Sequence, residues 1–281
     1  MGLIFVPTPL GNRGDITLRA LETLRTCDLL VAEDTRTARR LFALYDLALP
    51  PLLSYREQNA GSVTTAILER AREASVAVVS DAGMPAISDP GRDLIRAARS
   101  SGIAVDVLPG PSAFVCAAVL SGFPLMPFSF HGFVPRAAGD RRRTLAAAVA
   151  ARTTSVWYEA PTRIVATLDA LDGLAPNLAI FVVRELSKRF EQQVLGKARE
   201  IRSALTSPVR GEITLVIGAA SDEAETLSPQ EHDVADAIAA ALAQGAGTAN
   251  AAKSIAKRFG LKRGDIYRRI AQGRTNGDEA P

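Results

Sequence analysis

Residues 76–85 read Val76-Ala77-Val78-Val79-Ser80-Asp81-Ala82-Gly83-Met84-Pro85, an uncharged run that ends abruptly in a turn rich in Gly and Pro. A strand wetted on one face alternates apolar and polar residues. An unbroken apolar run is buried on both faces, as in a parallel sheet covered by helices. Residues 90–101, Pro-Gly-Arg-Asp-Leu-Ile-Arg-Ala-Ala-Arg-Ser-Ser, follow with helical spacing. The same unit recurs around it. Runs 3–6, 29–32 and 104–108 read as buried strands, with a further short strand before the polar run 54–59. The spacing predicts helices over 17–26, 35–45, 62–74 and 90–101, with Asp15 and Asp89 placed to cap two of them. Strand–helix alternation of this kind specifies an α/β fold with a mainly parallel sheet.

Beyond 121, Gly122, Pro124 and Pro127 cluster as chain breakers and mark a domain boundary. A second α/β unit follows, with strands expected at 128–134, 155–158, 179–183, 192–196 and 213–217. Helices are expected over 141–151, 161–171 and 198–205. The small, acidic stretch 221–228 reads as a linker. Three short helices then fit 231–243, 249–259 and 263–271. The expected organisation is an α/β domain at 1–121, a second at 122–220 and a small all-helical module at 229–275.

Nearly half of the 281 residues are apolar (47%) and 22% are charged, so the chain can bury a sizeable core. The opening apolar run lacks a basic segment before it and is cut by Pro7 and Pro9, so it reads as a first strand rather than a signal peptide. No run has the length needed to cross a bilayer. Cys27 and Cys116 both sit in apolar stretches and are expected to be reduced core thiols, which suits the cytoplasm. Two histidines and no ligand spacing argue against a metal site.

Charge is uneven. The chain carries +3 overall, yet residues 248–274 hold eight Lys or Arg against one Asp, which leaves residues 1–247 at −2. Apolar positions 255, 256, 259, 266 and 270 suit two packed helices with Gly260 at their turn, as in a helix-turn-helix. The cations Lys253, Lys257, Arg258, Lys262, Arg263, Arg268 and Arg269 would then face a polyanion, although a merely solvated basic face reads the same way.

Three turns just past strand ends combine Gly and Pro: Pro7-Thr8-Pro9-Leu10-Gly11-Asn12, Asp81-Ala82-Gly83-Met84-Pro85 and Pro109-Gly110-Pro111-Ser112. Ligands of open parallel sheets bind at the carboxyl ends of the strands, where such loops converge. Neither G-x-x-x-x-G-K-S/T nor G-x-G-x-x-G occurs, which argues against a phosphate loop and a dinucleotide site. Polar clusters end other strands: Glu33-Asp34-Thr35-Arg36, Ser54 to Asn59, Tyr158-Glu159-Ala160-Pro161 and Arg184-Glu185-Leu186-Ser187-Lys188. Asp34 or Thr35 could simply cap the helix that follows.

The order P-T-P-L-G-N-x-G-D-I-T, E-D-T-R, S-D-A-G-M-P-A-I-S-D-P-G, P-G-P-S-A, Y-E-A-P-x-R and R-E-L-S-K, spread over 3–275, resembles the tetrapyrrole-methylase superfamily. Within it, the pattern is most similar to the cytidine 2′-O-methyltransferases of small-subunit ribosomal RNA. Arg13, Arg56 and Gln58 depart from the pattern. The resemblance implies a two-domain enzyme with S-adenosylmethionine in the cleft between the domains. Pro9 and Leu10 would contact that cofactor from the first loop, with Ala82, Gly83, Met84 and Ile87 around its methionine and ribose. Ser112 and Ala113 would close one side, and Glu159, Leu186, Gly211, Glu212 and Ile213 would contribute from the second domain. It also implies 16S ribosomal RNA or the small subunit as partner, a homodimer, and no membrane association. A ribose hydroxyl needs help to lose its proton. Candidates are Asp34, Glu33, Glu185 and Lys188, with Arg36 and Arg184 as phosphate or oxyanion partners. As a base, Lys188 would need its pKa lowered by several units from about 10.4. A methyltransferase acting on a tetrapyrrole or a protein side chain, and a non-catalytic RNA-binding protein, remain alternatives.

Overall fold

A computed structural model describes residues 1–205, 208–219, 237, 238, 241, 247–259 and 261–275. The expected linker at 221–228, nearly all of the expected helix at 231–243, Gly260 and the Arg269 side chain lie outside the described residues. The chain falls into two compact units, residues 1–219 and 220–281.

The first unit holds two five-stranded sheets. In one, β1 (Gly2–Phe5), β2 (Leu29–Ala32), β3 (Leu52–Ser54), β4 (Ser75–Val79) and β5 (Val105–Val107) lie in the order β3-β2-β4-β1-β5. All its pairings are parallel. The β4 run is buried on both faces, as its composition requires. Val76 and Val78 join a core with Leu3, Phe5, Ile67 and Leu94. Ala77 and Val79 join another with Leu24, Leu30, Phe42 and Leu108. Helices α1 (Leu18–Thr26), α2 (Thr35–Leu44), α3 (Ala60–Glu73) and α4 (Arg92–Ser100) make the connections. From the neighbouring strands β1 and β4 the chain leaves in opposite directions, toward β2 and β5. That divergence is a topological switch point, where a crevice opens at the strand ends.

The second sheet runs β6-β7-β10-β8-β9, from β6 (Phe128–Phe133), β7 (Thr154–Glu159), β8 (Ile180–Arg184), β9 (Gln192–Gly196) and β10 (Ile213–Ile217). Its β6–β7 pair is parallel and the other pairs are antiparallel. Helices α6 (Ala138–Ala150), α7 (Ile164–Leu174) and α8 (Ala198–Ala204) accompany it.

A further helix, α5 (Ala113–Ser121), escapes the sequence reading because Ala-Phe-Val-Cys-Ala-Ala-Val-Leu has no polar face to mark a helical period. It packs with Ala117 and Ala118 against Val156, Phe181, Val183 and Val216 of the second sheet. A boundary drawn at 121 therefore cuts α5 from the sheet that it covers. Two capping expectations are also corrected. Thr17 caps α1 by accepting the Ala20 amide at 3.0 Å, and Gly91 stands at the start of α4, so neither Asp15 nor Asp89 fills these positions. Cys27 is buried, and burial pushes its thiol up to about 11, whereas Cys116 is exposed rather than part of a core.

In the second unit, helices Thr248–Phe259 and Arg263–Thr275 share a core of Ala251, Ala252, Ile255, Ala256, Ile266 and Ile270, joined by Ile238. Lys253, Lys257, Arg258, Lys262, Arg263 and Arg268 are exposed around it. Among the described residues, no helix is long and apolar enough to cross a membrane.

Candidate functional site

The loops after β1 and β4 are fastened to each other. Thr8 and Gly83 exchange both backbone hydrogen bonds, each at 3.0 Å. The Thr8 hydroxyl donates to the Ser80 carbonyl at 3.4 Å, and the Ser80 hydroxyl to the Ala82 carbonyl at 3.3 Å. Gly83 has φ +73°, and a Cβ there would stand 2.9 Å from Leu10 Cδ2. The backbone must therefore be bare at this point, both for its left-handed conformation and for the approach of Leu10.

These loops wall a cavity of about 350 Å³, within the size range of small-molecule sites. Leu10, Ala82, Gly83, Met84 and Ile87 line it from the first sheet's loops, with Ser112 and Ala113 at the start of α5. Glu159, Gly211, Glu212 and Ile213 border it from the second sheet. Tyr158, from the polar cluster that ends β7, lines it too, as do Asp89, Phe133 and Thr214, which the sequence reading did not place at the cofactor. Burial pushes the Tyr158 hydroxyl up to about 12. Among the described residues, no lysine or arginine lines this cavity.

Three expected cofactor contacts stand differently. Pro9 opens into a neighbouring depression with Gly11, Arg13 and Asp34. Leu186 packs in the apolar cluster of the second sheet beside Phe114 and Phe130. Glu159 borders the cavity, but its fully buried carboxylate is taken by Arg163 at 2.6 Å, the Thr167 hydroxyl at 2.5 Å and the Ala160 amide at 2.7 Å. It anchors the chain ahead of α7 and has little left to offer a ligand.

The loop after β8 is the strained part of the site. Glu185 and Ser187 sit at φ +55° and +65°, a region costly for residues with a side chain. Several bonds hold them there. The Glu185 carboxylate accepts the Glu212 amide at 2.9 Å and Lys188 Nζ at 2.8 Å, and Lys188 also reaches Glu212 at 2.8 Å. The Ser187 hydroxyl donates to the Asp15 carboxylate, which ties this loop to the first half of the unit. A side chain at Gly211, φ +90°, would overlap the Glu185 carboxylate.

This geometry corrects the expectation for Lys188. Burial opposes its charge, but the hydrogen bonds to Glu185 and Glu212 outweigh it and hold its pKa above the usual lysine value. Lys188 is a bridging cation and not a base. Burial likewise opposes the charge of Glu185, but the bonds from Lys188 and the Glu212 amide keep it below the ordinary carboxylate value. Asp34 caps α2 by accepting the Arg36 amide at 2.8 Å, and its ion pair with Arg36 at 2.6 Å holds it well below the carboxylate range. Arg184 donates to Gln192 and to the Arg210 carbonyl, each at 3.2 Å, so it is engaged within its own half.

Glu33 differs from its neighbour Asp34. It faces a polar basin of about 910 Å³ lined by residues 54–60 and 88–93, including Arg56 and Arg92. Burial raises its pKa, and the nearby Asp89 and Asp81 add to the rise. Asp81 and Asp89 are raised as well, by burial first. In sequence, Asp89 has a capping role as its local explanation, because it stands just ahead of the helix that begins after Gly91.

Residues 2–202 match the tetrapyrrole (corrin/porphyrin) methylases. A Streptococcus pyogenes serotype M1 protein named ribosomal RNA small subunit methyltransferase I is 37% identical, over 95% of this chain and 94% of its own. Proteins of the same name from Bacillus subtilis (34%, over 95% and 93%) and Thermotoga maritima (43%, over 76% and 97%) are also similar. Among solved structures, diphthine synthase superposes with a TM-score of 0.63 at 15% identity, over 77% of this chain and 89% of its own. A uroporphyrin-III C-methyltransferase from Thermus thermophilus, complexed with S-adenosylhomocysteine, gives 0.55 at 21%, over 78% and 97%. With the parallel sheet, its fastened loops and near full-length relatives in agreement, the chain belongs to the tetrapyrrole (corrin/porphyrin) methylase family.

Proposed function

We propose that the protein is an S-adenosylmethionine-dependent methyltransferase of small-subunit ribosomal RNA, acting on a cytidine ribose 2′-hydroxyl. The observation that carries the cofactor is the cavity lining. Its ionisable groups among the described residues are Asp89, Tyr158, a Glu159 already paired with Arg163 and a Glu212 bridged by Lys188, and no lysine or arginine is in the lining. That suits a ligand bearing ammonium and sulfonium charges and disfavours one carrying phosphates. When bound, S-adenosylmethionine supplies a methyl group already activated by its sulfonium. The residues do the rest. Gly83 lets the loop backbone come close, and the Thr8–Gly83 bridge keeps it rigid, so little freedom is lost on binding. Lys188 and Ser187 hold the loop after β8 in place.

The RNA reading rests on the relatives' printed name and on residues 248–274, which carry a net +7 and expose six cations among the described residues. A tetrapyrrole would leave that module without a use. The protein works in the cytoplasm as a homodimer. In support of self-association, α5 leaves Val115, Val119 and Leu120 exposed at 45%, 65% and 42%.

The test is a competition of acceptors. Radiolabelled S-adenosylmethionine is supplied with small-subunit ribosomal RNA, assembled small subunits, a uroporphyrinogen and an acceptor protein. Label entering RNA or subunits supports the reading; label entering only the tetrapyrrole or the protein overturns it.

A further inference from the structure

Asp89 is held in place yet assigned to nothing. It is not the cap of α4, which begins behind Gly91. With Ser88, it lines both the cofactor-sized cavity and the polar basin beside it, so it stands on the wall that the two share. The basin offers what a nucleotide needs around a sugar. Arg56 and Arg92 are there for flanking phosphates and Gln58 for a hydrogen bond, while Asn59 shapes the wall by accepting the Arg56 amide and donating to the Ser54 carbonyl. Arg56 is oriented by its Nε–H, which donates to the Glu33 carbonyl at 2.9 Å.

We propose that this basin receives the ribose of the acceptor nucleotide and that Asp89 is the catalytic residue that takes the 2′-hydroxyl proton. The inference rests on the RNA-methylation reading above and deepens it. In the step, the 2′-oxygen bonds to the methyl carbon as the carbon–sulfur bond breaks. The electron pair stays on sulfur, the proton moves to a carboxylate oxygen of Asp89, and water then carries it away.

The surroundings favour this role. Burial raises Asp89 above the ordinary aspartate value and the like charge of Asp81 adds to it, while a hydrogen bond from Ser80 works the other way. A carboxylate of higher pKa is a better proton acceptor. The other charged or titratable groups around it are Glu33 from the end of β2, and Arg56 and Glu57 from the loop before α3. Tyr55 lines the same basin, Arg92 and Asp93 stand at the start of α4, and Tyr158, Glu159 and Glu212 come from the second sheet.

Asp89→Asn in the full-length protein tests it. Turnover on small-subunit RNA is expected to fall by roughly 10²-fold or more. S-adenosylhomocysteine, which lacks the sulfonium charge, and RNA are expected to lose far less affinity than the turnover loses, by calorimetry and filter binding, because the amide keeps the shape of the wall. The wild-type turnover declines as pH falls through the raised Asp89 value, and the variant loses that limb. A readout without turnover accompanies it. An acid whose pKa is raised by folding weakens the fold fully above the folded value, so Asp89→Asn should melt higher at neutral pH and lose the gain as pH falls from that value to 3.8. Asp89→Glu keeps a carboxylate, should recover part of the rate, and serves if the Asn variant does not fold. Wild-type rate and an unchanged pH limb in Asp89→Asn overturn the inference and leave the reading standing, with Glu33 next in line. A wild type that binds S-adenosylhomocysteine but methylates no RNA overturns both.

Discussion

At the scale of single residues, the site depends on positions where a side chain is missing or a charge is shared. Gly83 is the first kind. Valine there would combine a disfavoured φ of +73° with a Cβ 2.9 Å from Leu10 Cδ2, and its methyl groups would enter the cavity. The left-handed conformation alone costs about 1–2 kcal/mol for a residue with a Cβ. Gly83→Val should therefore fold with a lowered melting temperature and lose S-adenosylmethionine affinity by roughly 10-fold or more. Isothermal calorimetry on the folded variant decides this, and unchanged affinity would remove the loop from the cofactor site.

Lys188 is the second kind. Its folded pKa is raised, so its contribution to stability is complete below 10.5 and lost as pH rises through the folded value. The Glu185 value is lowered, so its contribution is present above 4.5 and lost as pH falls through the folded value. Lys188→Met should therefore lower the melting temperature between these limits, with the difference closing toward acid. Melting curves from pH 3 to pH 9 follow it, and a pH-independent difference would mean weakened packing over Gly11 and not a broken ion pair.

Among the elements, α7 is anchored by a buried ion pair. Removing Arg163 leaves Glu159 charged, fully buried and short of its strongest partner. Arg163→Ala should cost about 3–5 kcal/mol, measured by urea unfolding, because desolvation of the remaining carboxylate is no longer offset. On α5, Val119 is 65% exposed in a helix without a polar face. Val119→Asp should leave stability almost unaltered and turn a dimer into a monomer in light scattering; a dimer that persists would move the interface elsewhere.

How far these elements could be read from sequence depended on whether their signal was local. The first sheet was legible because β1, β2 and β4 are short apolar runs whose composition implies burial on both faces, and because β1, β4 and β5 run into turns rich in Gly and Pro. The lining of the cavity was legible loop by loop for the same reason. Helix α5 was not, since its period is invisible when every position is apolar. Nor were the roles of Glu159 and Lys188, because Arg163, Thr167 and Glu212 reach them only through the folded chain. Asp89 was misread as a cap because its position before a helix gave a sufficient local reason to be there.

For the whole molecule, the proposed function puts the chemistry and the acceptor ribose on the first unit, and the second is expected to add RNA affinity. The first carries every lining residue of the cavity, and residues 1–219 hold 25 Lys or Arg against 21 Asp or Glu; in the second, a segment of net +7 at 248–274 is flanked in sequence by six acids at 222–236 and two at 278–279, and six of its cations are exposed. The Thermotoga maritima relative is spanned almost whole by a match to 76% of this chain, so the family's fold does not need all of it. A chain ending at Ala219 should keep its cofactor affinity and bind RNA more weakly. The slope of log affinity against log salt should become shallower by roughly 0.7–0.9 for each phosphate that is no longer neutralised. An undiminished RNA affinity and slope would deny the module its role, and a failure to bind cofactor would make it a structural cap.

The central claim concerns the product. Full-length protein, S-adenosylmethionine carrying a deuterated methyl group and small ribosomal subunits are incubated, and the RNA is digested to nucleosides for mass spectrometry. The expected result is one new species, a cytidine whose mass gain lies on the ribose fragment and is absent when S-adenosylmethionine is left out. A gain on the base fragment, or no labelled nucleoside from RNA that demonstrably binds the protein, would contradict the account.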